Sequence, residues 1–229
     1  MSENVLQNAA HHQPRSSSAP GNRRAGTVLM ASAAIYFSAE FIAAAAWTDP
    51  PYSYTHHFIS NLGVHGPTTA FGQFMYSPLA WVMNTGFVLF GLTALAGVVL
   101  LRGLPGKRRR LHLLLAVLLA AGGVTLGFFP GSGETPADGV DYHALGAFAA
   151  FLGGNVLSIL LGGAHRALGF SRRLGIGLKV AGVYGLLSIP AYLAVTASEK
   201  GILIGLVERG IVDPFLIGFL VLGAALRRT

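Results

Sequence analysis

Six apolar runs recur along this chain of 229 residues, at about 26–47, 74–101, 111–129, 142–164, 174–197 and 202–226. Each is long enough to cross a hydrocarbon layer of about 30 Å. Lipid offers no hydrogen bonds to a bare backbone, so a spanning segment must be a helix or part of a closed barrel. A barrel needs alternating segments of about ten residues, and these runs do not alternate. The reading is an all-α polytopic membrane protein, a bundle of six transmembrane helices, set in a cell membrane as a multi-pass protein. Composition agrees: 52% of residues are hydrophobic and 11% are charged, against about 25% charged in a soluble domain. With no cysteine, disulfides, thiolate metal sites and cysteine nucleophiles are excluded.

The charges then orient the bundle. Of 16 Lys and Arg residues, all but Lys200 and Arg209 fall in the N-terminal stretch, in the turns 102–110 and 165–173 with the adjoining helix ends, or at the C-terminus. The positive-inside rule therefore places both termini in the cytoplasm. The same bias accounts for the pI near 10.1, so Lys107–Arg110 reads as a topogenic signal and nucleic acid is not expected as a partner. Residues 1–25 are polar, lack the apolar core of a signal peptide and read as a disordered cytoplasmic tail carrying His11 and His12. Residues 26–229 form the membrane domain. Acids show the reverse distribution: of nine, all but Glu3 lie towards the other end, together with His56, His57, His65 and His143.

The candidate chemistry therefore sits at that acidic end. Residues 55–65, Thr-His-His-Phe-Ile-Ser-Asn-Leu-Gly-Val-His, read as a polar segment that re-enters over the mouth of the bundle, or as a plain interfacial loop. Trp47 before it suits an interfacial anchor. Glu40, Glu208, Arg209 and Asp213 are charges inside apolar runs, and such charges face a partner or a cavity. Arg209 and Asp213, four residues apart, are expected to pair on one helix face, and Glu40 can accept from Arg209 across the bundle. Asp141 suits an N-cap of the fourth helix, which leaves His143 as core residue, proton relay or metal ligand. The ligand-binding candidates are Glu40, His56, His57, Ser60, Asn61, Asp141, His143, Glu208 and Arg209. Zinc is a possible cofactor through His56, His57, His65 and His143 with an acid, although the His-Glu-x-x-His signature is absent. His112 and His165 read as headgroup-level residues.

Three of these stretches also match a known pattern: Ile59-Ser60-Asn61-Leu62-Gly63, Asp141-Tyr142-His143-Ala144-Leu145-Gly146 and Gly205-Leu206-Val207-Glu208-Arg209-Gly210-Ile211. In this order, within six spans, they resemble the DUF998 family of prokaryotic integral membrane proteins over about residues 26–226. The resemblance implies a six-helix membrane protein and no particular activity. Where the family commonly places an acid before Leu-Gly, this chain has Asn61. Three functions are compatible with the residues. One is binding or moving a small polar or lipid ligand in an outward-facing polar pocket, with Arg209 holding an anionic group. The second is metal-assisted hydrolysis of lipid at the outer leaflet. The third is a structural or assembly role through glycine-rich helix faces.

The cysteine-free chain makes the topology directly testable. A membrane-impermeant maleimide is expected to label His65→Cys in intact cells and Arg110→Cys only after permeabilisation. The opposite pattern would invert the orientation.

Overall fold

A computed structural model describes residues 22–70, 72–133, 139–198 and 203–228. Its elements are helix α1 (Asn22–Ala46), strands β1 (Thr68–Ala70) and β2 (Gln73–Met75), and helices α2 (Ala80–Leu100), α3 (Gly106–Phe128), α4 (Tyr142–Gly163), α5 (His165–Leu168), α6 (Arg172–Ala197) and α7 (Ile204–Arg227). Six of the seven α-helices, all but α5, are long and apolar enough to cross a membrane. The protein is thus the expected all-α, six-span bundle. The residues 1–21, with His11 and His12, lie outside the described residues, as do Glu134, Asp138, Glu199 and Lys200.

Two boundaries differ for physical reasons. Helix α1 begins at Asn22, within the stretch read as tail, because Asn22 exchanges hydrogen bonds with the backbone of Arg102 (3.3 and 2.9 Å) and so anchors that end. The turn 102–110 is shorter than its sequence suggests, since Lys107–Arg110 already belong to α3. Arg109 reaches back to the carbonyls of Leu101 (2.6 Å) and Val99 (3.0 Å), supplying donors that the C-terminal end of α2 lacks.

The helices form a closed ring in the order α1, α2, α3, α4, α6, α7, with α7 returning to α1 and also meeting α4 across the centre. Small residues set the close crossings. A Cβ on Gly223 would lie 2.4 Å from the carbonyl oxygen of Gly26, and one on Gly26 would lie 2.6 Å from that of Gly223, so α1 and α7 touch backbone to backbone. The centre is aromatic: Tyr36, Phe87, Phe90, Phe151, Phe215 and Phe219 are all buried. Outward faces carry Leu89, Leu114, Val180, Leu187 and Val221, all exposed, as lipid contact requires.

Residues 47–79, between α1 and α2, cap the acidic end of the bundle. The cap holds one 3-10 turn, Ser60–Gly63, and an antiparallel hairpin pairing Thr68 with Met75 and Ala70 with Gln73. The hairpin replaces the start expected for the second span, because Gln73 needs polar partners that a lipid-facing helix would deny it. Trp47 is not at an interface: it is 2% exposed, stacked on the His57 imidazole at 5.1 Å beneath the cap.

The backbone contact makes one side of α7 intolerant of bulk. Gly223→Val should destabilise the bundle by about 1–3 kcal/mol, as overpacking does. Gly177→Ala, where an added Cβ meets nothing within 4 Å, should leave the melting temperature unchanged or raise it. Thermal unfolding in detergent compares the two.

Candidate functional site

The last helix fastens the cap, and the fastening begins with Arg209. This residue is 9% exposed, and a guanidinium carries five N–H donors. Nε and Nη2 donate to Glu40 Oε1 at 3.1 and 2.6 Å. Nη2 also donates to the Tyr52 hydroxyl at 2.9 Å. Nη1 donates to the carbonyls of Tyr54 (2.7 Å) and Gly205 (3.0 Å). The Tyr54 ring covers the guanidinium, its centroid 4.8 Å from Cζ. Every donor of Arg209 is therefore used within the protein.

Asp213 does not join this pair. Its Oδ1 is buried without a hydrogen-bond partner among the described residues. The expected pairing one turn apart fails because Glu40, presented from α1, the cap and the Gly205 carbonyl of α7 take all five donors.

Neighbouring residues of α7 add to the clasp. The amides of Gly205 and Leu206 donate to the carbonyl of Thr55 at 3.1 and 3.3 Å. The amide of Ile59 donates to Glu208 Oε2 at 2.5 Å. Gly205 must be glycine, since a Cβ there would lie 2.2 Å from the His57 carbonyl oxygen. The stretch from Gly205 to Arg209 thus works as one unit gripping residues 54–59.

Inside the cap, the Gln73 side chain donates to the carbonyl of His56 (2.5 Å) and accepts from Asn61 Nδ2 (2.6 Å). Asn84 Nδ2 donates to the carbonyl of Gly63 at 2.9 Å. Tyr52, besides meeting Arg209, donates to the carbonyl of Phe58 at 3.0 Å. Burial holds the Tyr52 phenol above its ordinary range despite the guanidinium beside it, so it serves as a neutral hydroxyl.

The histidines separate. His57 Nδ1 accepts from the amide of Ser53 at 2.9 Å, and burial, followed by the neighbouring His56, lowers its pKa; it is a neutral, stacked ring. His56 is exposed and meets Ser53 and Thr55. His65 is exposed near Tyr76. Among the described residues, no three His, Asp or Glu side chains converge where a metal ion could be held. His56, His57, His65 and His143 do not form the common ligand set that the sequence suggested. His112 is also not at headgroup level: it is 2% exposed, with Nδ1 on the carbonyl of Arg108 at 2.7 Å.

Four of the candidate residues do meet. A cavity of about 320 Å³ lies between the cap, the loop 130–133, the start of α4 and the end of α6. Ser60, Asn61, Asp141 and His143 line it, together with Tyr192 and Thr196, against apolar Phe58, Phe148 and Leu193. Asp141 caps α4 as expected, its Oδ1 accepting from the amide of Ala144 at 2.8 Å. His143 Nδ1 lies 2.8 Å from the carbonyl of Phe129. A carbonyl only accepts, so Nδ1 carries the hydrogen, and Nε2 of the neutral ring carries a lone pair. Nε2 faces Gly131, where a Cβ would approach to 2.8 Å. Ser60, His143 and Asp141 do not form a nucleophilic relay, because the Phe129 carbonyl holds the nitrogen that Asp141 would need.

Beyond this cavity lies a second chamber of about 30 Å³, and Ser60, His143 and Ala147 line both. Glu208 and Tyr36 line the inner chamber among Phe87, Phe90, Phe151 and Phe215. Glu40, His56, His57 and Arg209 line neither. Sequence reasoning gave no role to Gln73, Tyr52, Tyr192 or Asn155. Asn155 is 0% exposed and joins α4 to α7 through Nδ2 and the carbonyl of Ile211 (3.0 Å). Its polar side chain within an apolar run was the available signal.

A family model described as "Protein of unknown function (DUF998)" matches residues 30–225, most of the chain, and the chain belongs to this family. No curated protein and no solved structure matches it significantly.

The clasp predicts a strong asymmetry between single and double substitutions. Arg209→Ala strands the buried Glu40 carboxylate and should cost about 3–5 kcal/mol. Glu40→Gln combined with Arg209→Gln should cost less than the sum of the two single changes. Melting temperatures, with limited proteolysis inside residues 52–59, check this.

Proposed function

We propose that this DUF998 member binds a small polar or lipid ligand in the cavity between cap, α4 and α6. One observation carries the reading: polar Ser60, Asn61, Asp141 and His143 converge on one cavity with apolar Phe58, Phe148 and Leu193. A volume of about 320 Å³ falls at the lower end of the range for small-molecule sites. Leu193 on its rim is 48% exposed on a helix whose outward face is apolar, so a chain-bearing ligand has a way in from lipid.

The charge of the lining narrows the chemistry. Among the described residues Asp141 is its formal charge, and no Lys or Arg lines it. Arg209 has no donor left for an anion. The site suits a neutral hydroxyl-bearing or amine-bearing head with an apolar tail, and disfavours a phosphate or carboxylate head. Of the nine candidate residues, this reading keeps Ser60, Asn61, Asp141 and His143 as ligand contacts. Glu40, His56, His57, Glu208 and Arg209 support the cap or lie beneath the site. Hydrolysis of lipid gains no support from the arrangement of His143, Asp141 and Ser60.

Native mass spectrometry of protein released from nanodiscs tests the reading. Wild-type protein should retain an added long-chain amine or monoacylglycerol and not a long-chain alkyl phosphate. Ala144→Trp, which fills the cavity from α4, should abolish retention. Equal retention by both chains, or preference for the alkyl phosphate, would sink the proposal.

A further inference from the structure

The inner chamber has no part in holding that ligand. Glu208 is 5% exposed. One carboxylate oxygen accepts from the Ile59 amide, and the other has no hydrogen-bond partner among the described residues. Glu208 lines the chamber. The Tyr36 ring is 3% exposed, its hydroxyl makes no hydrogen bond among the described residues, and it too lines the chamber. Ser60 makes no side-chain hydrogen bond and borders both spaces, as does His143 with its free Nε2 lone pair.

Charge balance sharpens the point. Arg209 is fully committed to Glu40, the cap and Gly205. Glu208 and Asp213 then stand in the membrane half without a cation of their own among the described residues. An unpaired carboxylate in that environment is costly, and such groups mark ion or proton paths. The chamber, at about 30 Å³, has room for about two waters at roughly 10–15 Å³ each. Its remaining walls are aromatic, and its oxygen donors are too few for the six or so ligands of a hard metal cation.

We propose that the chamber is a proton-binding site: Glu208 takes up a proton delivered from the outer cavity past Ser60 and His143. The step balances simply. A hydronium ion in the cavity gives its proton to the Nε2 lone pair of His143, or to the Ser60 hydroxyl as that group passes its own proton on, and is left as water. The unpartnered oxygen of Glu208 accepts the proton through chamber water, His143 or Ser60 is neutral again, and the site resets when Glu208 returns its proton along the same route. On uptake the carboxylate becomes a neutral acid, and its bond to the Ile59 amide loses the assistance of charge. Proton binding is thereby linked to the grip of α7 on the floor of the cap.

The titratable and charged groups facing Glu208 are Tyr36 and Glu40 on α1, Tyr52 in the cap, His143 on α4, Tyr192 on α6, and Arg209 and Asp213 on α7.

The test uses the full chain in nanodiscs without added ligand, so it is independent of the binding measurement above. Infrared difference spectra between about pH 9 and about pH 5 bracket carboxyl and imidazole titration. Wild-type protein should gain a protonated-carboxyl C=O band that Glu208→Gln lacks. The protection factor of the Ile59 amide should fall roughly tenfold over the same range in wild-type protein, as expected when a charge-assisted bond becomes a neutral one. It should start low and stay flat in Glu208→Gln. Ala147→Leu, which narrows the junction of the two spaces, should slow the appearance of the band after a pH jump without moving its midpoint. Should Glu208→Gln fail to fold, Ser60→Ala supplies the same kinetic comparison. The proposal is overturned if the band survives in Glu208→Gln, if neither junction variant slows it, or if Ile59 protection follows sodium concentration at constant pH.

Discussion

A guanidinium buried in the membrane half of a helical bundle needs a partner for every one of its five donors, and that requirement organises the cap end of this protein. One carboxylate on a neighbouring helix accepts twice. Of the three remaining donors, one meets the Gly205 carbonyl of its own helix, and the chain between α1 and α2 brings oxygen for the other two as the Tyr52 hydroxyl and the Tyr54 carbonyl. Once those two residues are fixed, the Thr55 carbonyl falls over the start of α7, and the Ile59 amide falls over Glu208. The cap is thus a consequence of satisfying Arg209, and the cavity is the space left between this cap and the ends of α4 and α6.

The three carboxylates near Arg209 divide the work according to what remains for each. Glu40 takes the charge. Glu208 is left with a single backbone amide and an open chamber. Asp213, one turn beyond Arg209, keeps an unmet buried oxygen. Electrostatics that would be redundant in a soluble protein become specific here, because lipid offers no alternative partner.

Much of this was legible in the sequence. Apolar run lengths dictate six spans, since backbone hydrogen bonding in lipid leaves few choices. Glu40 and Arg209 were readable as partners because an intramembrane charge demands one, and Asp141 as a cap because it precedes an apolar run. The Arg209–Asp213 pairing was misleading: helical spacing brings two side chains within reach but says nothing of a stronger competitor on another helix. Histidine spacing misled for a related reason. Ring stacking and backbone hydrogen bonds claim His57 and His143 individually, and neither leaves a trace in residue identity. The hairpin was hidden because each strand has three residues, too few to show alternation, and because Gln73 reads as a polar interruption until its partners Asn61 and His56 are known.

The distance along the chain between Glu40 and Arg209, 169 residues, bears on how the molecule is made. The early acid enters the bilayer while its cation has yet to be synthesised, so α1 must wait, protonated or chaperoned, through the insertion of four further spans. The cap's contacts with Gly205, Glu208 and Arg209 can form only once α7 has been made, and a chain truncated before α7 would lack all of them.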